Sequence, residues 1–220
     1  VQTCALPICD LSLAKKDLGR VWETARVAIK PIPACHLVHA CSDAAVALAS
    51  AHAIEPAQIK SIHALVPEQA FPIVCEPAAK RRRPVSSYAA QFSLYHAVAA
   101  SLLHKRLGLA EMEPAVYNDP AVLALSDKVS YGADTKSEYP KYFSGELIIT
   151  FNDGRELKHR EHINRGAADR PIAREDIVTK FFDNATLALP RAQAQRVCEA
   201  VFAADAASAR TLESALAGKK

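Results

Sequence analysis

The spacing of hydrophobic residues predicts three helices in the first 130 residues of the chain. Apolar residues fall at helical spacing over residues 35–52, in an alanine-rich stretch that favours helix. A second, broader apolar face follows Ser86 or Ser87, either of which would serve as the N-cap, and Gly108 is expected to close that helix. The tripeptide Asn-Asp-Pro at 118–120 predicts the start of a third helix, because a capping aspartate precedes a proline at the first helical position.

Alternating hydrophobic and polar residues predict strands in two regions. Ile59–Val66 alternates and is rich enough in β-branched residues for a strand, and residues 71–75 are interpreted as a second short strand. The clearest hairpin comprises residues 146–151 and 155–160. Its connection contains Asp153-Gly154, a dipeptide that favours the tight turns of hairpins.

The last fifty residues carry only helical patterns. One helix is expected from about residue 173 to 189, a second begins at Pro190, and a third covers residues 208–216. Helices and strands thus mix without strict β-α-β alternation, which predicts an α+β fold rather than a doubly wound sheet. These final helices are expected to form a separate packing unit with exposed apolar faces. The residues expected on those faces are Ile177, Phe181, Val197 and Val201.

The beginning of the chain needs its own interpretation. Residues 1–8 resemble the in-frame translation of a sequencing adapter and, like a fusion scar, are not expected to belong to the native fold. The native reading frame is then expected to continue upstream, the alternative being a frayed natural N-terminus. Residues 11–22 are interpreted as a short helix or turn. Residues 24–29 are interpreted as an extended segment that runs into Lys-Pro-Ile-Pro at 30–33, where the prolines forbid a helix.

Composition narrows the class of protein. Half of the 220 residues are hydrophobic and the formal net charge is +3, which is too small for a nucleic-acid footprint. The one concentrated basic run, residues 80–83, has no interleaved aromatic residues. No apolar stretch approaches the roughly 18 residues of a membrane span. Six irregularly spaced cysteines without a secretion signal indicate reduced thiols. We therefore expect a cytoplasmic protein that binds neither nucleic acid nor membrane.

Four segments resemble, in their order and spacing, signatures of the MmgE/PrpD family of 2-methylcitrate dehydratases and cis-aconitate decarboxylases. The first is Ala-Ile-Lys-Pro-Ile-Pro-Ala-Cys at 28–35, with a downstream histidine and Asp-Ala-Ala. The others lie at residues 84–103, at residues 119–129 and, in the closing hairpin and helix, between residues 153 and 181. The resemblance covers nearly everything from residue 18 to residue 216. It is a resemblance to the C-terminal half of such an enzyme.

The resemblance implies a two-part architecture with the active site in a cleft between the parts. Residues 31–170 would form a small α+β lid domain, and residues 9–30 would end a large helical domain and connect it to the lid. Residues 171–220 would return to that helical domain, most of which lies outside this chain. The family also implies metal-independent and cofactor-free chemistry on small di- or tricarboxylates, and a homodimer.

Lys30 and His39 are the residues expected to carry chemistry. Proton abstraction beside a carboxylate develops negative charge, so the site needs a positioned acid or base and cations aimed at the carboxylates. The resemblance makes Lys30 the active-site lysine. His39 lies one helical turn from Cys35 and from Asp43, and an aspartate there would hold the tautomer of the imidazole. The ordinary alternatives are a surface lysine at a strand end and a histidine packed within a helix.

Arg83 and Ser93 are expected to bind substrate. In the family, a basic residue just before the second signature proline lies near the cleft, which points to Arg83, and a guanidinium presents a planar fork to carboxylates. A solvated basic loop is the alternative. Ser93 matches the family, whereas Gln91 replaces the Lys or Arg that relatives often carry, which would alter substrate preference or be a plain surface exchange. The pattern Cys-His-x-x-His-x-Cys at 35–41 lacks the spacing of zinc sites, so no metal is expected.

The expected function is that of the C-terminal part of a dehydratase acting on 2-methylcitrate or a similar tricarboxylate. A cis-aconitate-type decarboxylase and an isomerase or epimerase of the same family remain open, and so does a non-catalytic interaction module. We expect the chain alone to be inactive, because the family's other acid–base residues would lie in its other half. A continuous upstream reading frame that encodes the helical N-terminal half would favour the enzyme. A start codon near residue 10 would favour the interaction module.

Overall fold

The structure is a computed structural model that describes residues 16–22, 24, 27–205 and 208–217. The interpretation of residues 1–8 lies outside these residues, and so does most of the short helix or turn expected at 11–22, of which residues 16–20 form turns. In the described part, a four-stranded mixed sheet and many helices form an α+β fold, which confirms the predicted class.

The sheet has the strand order β2-β1-β3-β4. Strand β1 (Ile59–Val66) pairs in parallel with β2 (Val129–Ala133) and antiparallel with β3 (Gly145–Phe151), which in turn forms a hairpin with β4 (Glu156–Glu161). Alternate residues of β1 and β3 are buried, because one face of the sheet carries the core while the other stays half-exposed. The predicted strand β1 and the predicted hairpin are therefore confirmed.

Two helices pack together over the buried face of the sheet. Helix α1 (His36–Ala51) lies where the alanine-rich pattern predicted it, and its apolar positions belong to the main core. Helix α4 (Leu94–His104) is buried along nearly its whole length. The sheet approaches α1 closely at Gly145, where an added Cβ would lie 2.9 Å from the Sγ atom of Cys41. A side chain at this position would therefore push the strand away from the helix.

The region between β1 and α4 differs from two predictions. Residues Phe71–Cys75 form a π-helical turn instead of a strand, since Pro72 suits the first turn of a helix and a five-residue apolar run does not distinguish the two structures. The long helix predicted from residue 86 is broken into α3 (Ser87–Ala90) and α4, because Ser93 caps α4 with its own side chain.

The end of α4 also differs from the prediction. The helix closes at Lys105, which takes a left-handed backbone conformation with φ of 55°, three residues before the expected Gly108. The third predicted helix is confirmed as α6 (Pro120–Lys128), with the Asp119 side chain accepting from the backbone N–H of Ala121. Two further short helices are α2 (Ala78–Arg82) and α5 (Pro114–Tyr117).

The last part of the chain is helical, as predicted. It contains α7 (Arg174–Ala185), α8 (Arg191–Phe202) and α9 (Ala209–Leu216). These helices share a second, smaller core, in which Val197 is buried and Phe181 is half-buried. Of the apolar residues expected at the surface, Val201 is 50% exposed, but Val197 is not, because α9 covers it.

The helices of the described residues, 16–22, 24, 27–205 and 208–217, include no candidate for a membrane span. None of the helices there combines the length and the apolarity that a bilayer span requires.

Candidate active site

Lys30 ends a segment, residues 27–30, that has no regular secondary structure and whose backbone is held from two sides. The backbone N–H of Ile29 donates to the carbonyl of Gly166 at 2.9 Å. The carbonyl of Lys30 accepts a hydrogen bond from the Nζ atom of Lys180 on α7, at 2.5 Å. Two segments that are distant in the sequence thus fix the position of Lys30.

The ammonium group of Lys30 is directed by the proline turn that follows it. Prolines 31 and 33 restrict the backbone, and Ala34 closes the turn through its N–H, which donates to the carbonyl of Ile32 at 2.9 Å. The Nζ atom of Lys30 then lies 3.4 Å from the carbonyl oxygen of Ala34. This hydrogen bond is long and engages one of three N–H groups, so the ammonium has donors left for a ligand.

Lys30 lines a cleft of about 540 Å³ between the proline turn, α3 and α7, which we call the lysine cleft. Its polar side chains come from three parts of the chain. They are those of Lys30, Cys35, Tyr88, Gln91, Lys180 and Asn184. Two of these groups are ammonium ions and none is a carboxylate. The lysine cleft is therefore a site of positive potential with neutral hydrogen-bonding groups around it.

A second cleft of about 520 Å³ adjoins the first across Lys180 and Asn184, which line both. Its charges are mixed, since three further cations and three carboxylates line it. Among these, Arg165 forms an ion pair with Asp43, with 2.9 Å between Nη2 and Oδ1. Burial raises the pKa of Asp43, although the hydrogen bonds from Arg165 oppose that effect. The positive charge of this second cleft is thus largely compensated, unlike that of the lysine cleft.

His39 lies directly behind the proline turn and is fully buried. Its Nε2 atom is 3.2 Å from the carbonyl of Ala34, and because a carbonyl only accepts hydrogen bonds, Nε2 carries the proton. Burial, together with nearby His36, lowers the pKa of His39 to about 3, so the ring is neutral at physiological pH. His39 does not line either cleft. Its Nε2–H donates to the carbonyl oxygen of Ala34, which also accepts the hydrogen bond from the Lys30 ammonium.

The expected partnership of His39 with Asp43 is not observed. Asp43 turns to Arg165 instead, because a guanidinium offers the carboxylate two charged hydrogen bonds and a neutral imidazole offers at most one. The neighbour of the His39 ring is His36, at 4.7 Å between ring centroids. His36 in turn accepts from the Nδ2 atom of Asn164 at 2.8 Å and stacks on Phe143.

Arg83 and Ser93 do not line either cleft. Arg83 is about half exposed and pairs with Asp127 at 2.7 Å, which raises the pKa of its guanidinium. Ser93 is buried, and its hydroxyl donates to the carbonyl of Arg81 at 2.5 Å while accepting from the backbone N–H of His96. Both side chains are engaged within the fold, and their roles in substrate binding stay predictions.

Two residues of the lysine cleft received no role from the sequence. Lys180 and Asn184 lie 150 and more residues after Lys30 and reach it only through the docking of α7. Lys180 lies in the last of the four segments that resemble the family, between residues 153 and 181, which was the one available signal. Gln91 also lines the lysine cleft, so its difference from the relatives falls at this site.

Metal ligands are not grouped in the part of the chain that the structure describes. No set of three or more His, Cys, Asp and Glu side chains is arranged there to hold a metal ion. The metal-independent chemistry implied by the resemblance stays a prediction.

The fold and the site together define an α+β domain with a cationic cleft beside its first helix. Residues 32–204 match the sequence profile of the MmgE/PrpD C-terminal domain. Because this match covers most of the chain, the protein belongs to the MmgE/PrpD family, whose members are dehydratase- and decarboxylase-type enzymes.

A curated relative is the cis-aconitate decarboxylase-like protein oryM of Aspergillus oryzae (strain ATCC 42149 / RIB 40). The two are 24% identical over 192 residues, which make up 84% of this chain and 39% of the relative. The chain thus spans well under half the length of the relative that it matches.

Proposed function

We propose that the lysine cleft binds a small di- or tricarboxylate, and that the chain forms the lid part of a dehydratase acting on 2-methylcitrate or a similar tricarboxylate. The observation that carries this proposal is the charge of the cleft: two ammonium groups line it, and no carboxylate of the described residues does. Tyr88, Gln91 and Asn184 add neutral hydrogen-bonding groups for the remaining oxygens of such a substrate.

Lys30 has the central role in the proposed reaction. A base removes the proton from the carbon beside a substrate carboxylate, the electron pair moves to form the carbon–carbon double bond, and the neighbouring hydroxyl leaves with a proton as water. Negative charge accumulates on the carboxylate as the proton leaves. The Lys30 ammonium stabilises that charge by hydrogen bonding, which accelerates the step if the bond strengthens in the transition state.

His39 acts on Lys30 from behind the turn. Its N–H fixes the carbonyl of Ala34, which would otherwise be free to draw the ammonium away from the ligand. His39 is therefore proposed as a positioning residue, since its buried, neutral ring does not line the cleft. Arg83 and Ser93 have no part in this proposal.

Decarboxylation is the second candidate and is favoured by the name of the Aspergillus relative. Loss of carbon dioxide leaves an electron pair on the carbon that carried the departing carboxylate, and a proton from a general acid then completes the product. The lysine cleft would stabilise that charge in the same way. The two reactions differ in their products, water or carbon dioxide, and a product assay separates them.

The test is turnover by the full gene product that carries this sequence, offered 2-methylcitrate, citrate and cis-aconitate in turn. We expect one of these substrates to be converted, and Lys30→Met to lower kcat/KM at least 100-fold, about 2.7 kcal/mol of transition-state stabilisation. Lys60→Met removes an equal charge from an exposed position on β1 and serves as the matched control.

Two results would contradict the proposal. One is a Lys30→Met variant that turns over within twofold of the unchanged enzyme. The other is a failure to convert any of the three substrates while citrate also fails to bind, which would favour the interaction module.

A further inference from the structure

Lys180 is the second cation of the lysine cleft and comes from a different part of the fold than the first. It lies in the middle of α7 and is half-buried, and its side chain reaches the backbone of Lys30. Among the described residues that line this cleft, Lys30 and Lys180 alone carry charge. A ligand in the cleft would therefore meet two ammonium groups, of which that of Lys180 is held by a hydrogen bond to the backbone of Lys30.

The hydrogen-bonding capacity of Lys180 is only partly used. Its Nζ atom donates to the carbonyl of Lys30, which engages one of three N–H groups. Asn184 follows one helical turn later on the same face of α7 and lines the same cleft. The helix thus presents an ammonium and an amide next to each other, and both can donate to carboxylate oxygens.

The nearest carboxylates along α7 are those of Asp176 and Asp183, one helical turn from Lys180. Asp176 and Asp183 line the second, mixed-charge cleft and not the lysine cleft. Lys180 lines both clefts, so these carboxylates lie on one side of it. On the side of the lysine cleft, an anion meets no negative side chain among the described lining residues.

We propose that Lys180 binds a second carboxylate of the substrate while Lys30 binds the first, so that the cleft selects ligands with at least two carboxylates. This inference rests on the proposed function of the cleft. It adds a specificity-determining residue on α7 to the site built around Lys30. The hydrogen bond from Lys180 to the Lys30 carbonyl fixes the Lys180 ammonium relative to the backbone of Lys30.

The alternative is that Lys180 only ties α7 to the backbone of Lys30. In that case its removal would weaken every ligand of Lys30 by a similar factor. If Lys180 instead binds a second carboxylate, its removal weakens a tricarboxylate and leaves a monocarboxylate almost unaffected. A comparison of two ligands across the same variants separates the two roles.

The experiment measures binding of citrate and of isobutyrate to the protein by titration at constant ionic strength, followed by nuclear magnetic resonance. The variants are Lys30→Met, Lys180→Met, Lys180→Arg and the control Lys60→Met. We expect Lys180→Met to lower the affinity for citrate at least tenfold and that for isobutyrate less than twofold. A charged hydrogen bond contributes about tenfold or more to affinity. Lys180→Arg, which keeps the charge, should bind citrate within about threefold of the unchanged protein.

The outcomes distinguish this inference from the function on which it rests. Suppose that Lys30→Met no longer binds citrate, but Lys180→Met binds it with an affinity within twofold of the unchanged protein. The second-carboxylate role is then wrong, while the proposed binding of carboxylates in the lysine cleft is supported. Equal losses of citrate and isobutyrate in Lys180→Met leave only the structural tie. A loss in Lys60→Met as large as in Lys180→Met indicates unspecific charge effects and overturns the inference. An unchanged protein that binds no citrate overturns the proposed function as well.

Discussion

The buried imidazole of His39 makes the stability of this fold dependent on pH. The ring lies in the core with its Nε2–H on the carbonyl of Ala34, and the structure offers its Nδ1 atom no hydrogen-bond partner among the described residues. Protonation would add a charge to a site that has no group to receive it. The pKa of His39 is accordingly lowered to about 3 by burial and, to a smaller extent, by His36.

The sign and size of the effect follow from the difference between the folded and unfolded states. In the unfolded chain the imidazole titrates near the ordinary histidine pKa of 6.5. As the pH falls below that value, the unfolded state gains a proton that the folded state does not bind, so stability decreases until the pH approaches 3. Between pH 7 and pH 5 the loss from His39 is about 2 kcal/mol, at about 1.4 kcal/mol per unit of pH below 6.5.

The assay is urea unfolding at pH 7 and pH 5 for the unchanged protein and for His39→Gln. Glutamine can still donate to the carbonyl of Ala34 but does not titrate. The drop in the free energy of unfolding between the two pH values should therefore be about 2 kcal/mol smaller in the variant. Burial also lowers the pKa of His96 and raises that of Asp43, with opposite effects on stability, but both groups are present in both proteins.

The pH-dependent loss of stability in His39→Gln, compared with that in the unchanged protein, tests whether the fold keeps His39 neutral. Equal pH-dependent losses, within about 0.5 kcal/mol, would show that His39 is not held neutral by the fold. His52→Gln makes the same substitution at an exposed site and should change the free energy of unfolding at pH 7 by less than about 0.5 kcal/mol.

Two further predictions concern stability and use the same unfolding assay. Gly166→Ala should lower the free energy of unfolding by at least 2 kcal/mol more than Gly154→Ala does, roughly the energy of a core clash. Both glycines have positive φ, but only at Gly166 would the new Cβ collide with the carbonyl of Ile29, and equal costs would argue against that close approach. Arg160→Met should destabilise by about 3 kcal/mol, because it leaves the buried carboxylate of Asp134 without the guanidinium 2.8 Å away, and a loss below about 1 kcal/mol would contradict this.

Local patterns were sufficient to predict the elements whose signals repeat over several residues. Strand β1, the β3–β4 hairpin and helix α1 all lie where their periodicity indicated. The π-helical turn at Phe71–Cys75 was missed because a five-residue apolar run is compatible with either state, and only its packing in the core decides. Strand β2 was missed because it is short and carries a glycine, and its existence depends on pairing with β1.

The candidate site was predictable only in part, for a related reason. Lys30 was selected as a candidate because its local segment with two prolines resembles the family, and its role stays a prediction. His39 was correctly placed on the first helix. The burial of that histidine and the attraction of Asp43 to Arg165 depend on residues more than a hundred positions away. The contact of Lys180 with Lys30 spans 150 residues, and no local pattern encodes it.

The small separate core of α7, α8 and α9 has a consequence for how the site opens. Helices that share few buried side chains with the main core are expected to detach in a sub-global unfolding event that costs less than unfolding the whole protein. Lys180 and Asn184 belong to α7. When α7 detaches, the lysine cleft therefore loses both residues while the sheet and α1 stay folded. A ligand that bridges Lys30 and Lys180 opposes this event by mass action. Amide hydrogens of α7 should then exchange more slowly with solvent deuterium as the ligand concentration rises.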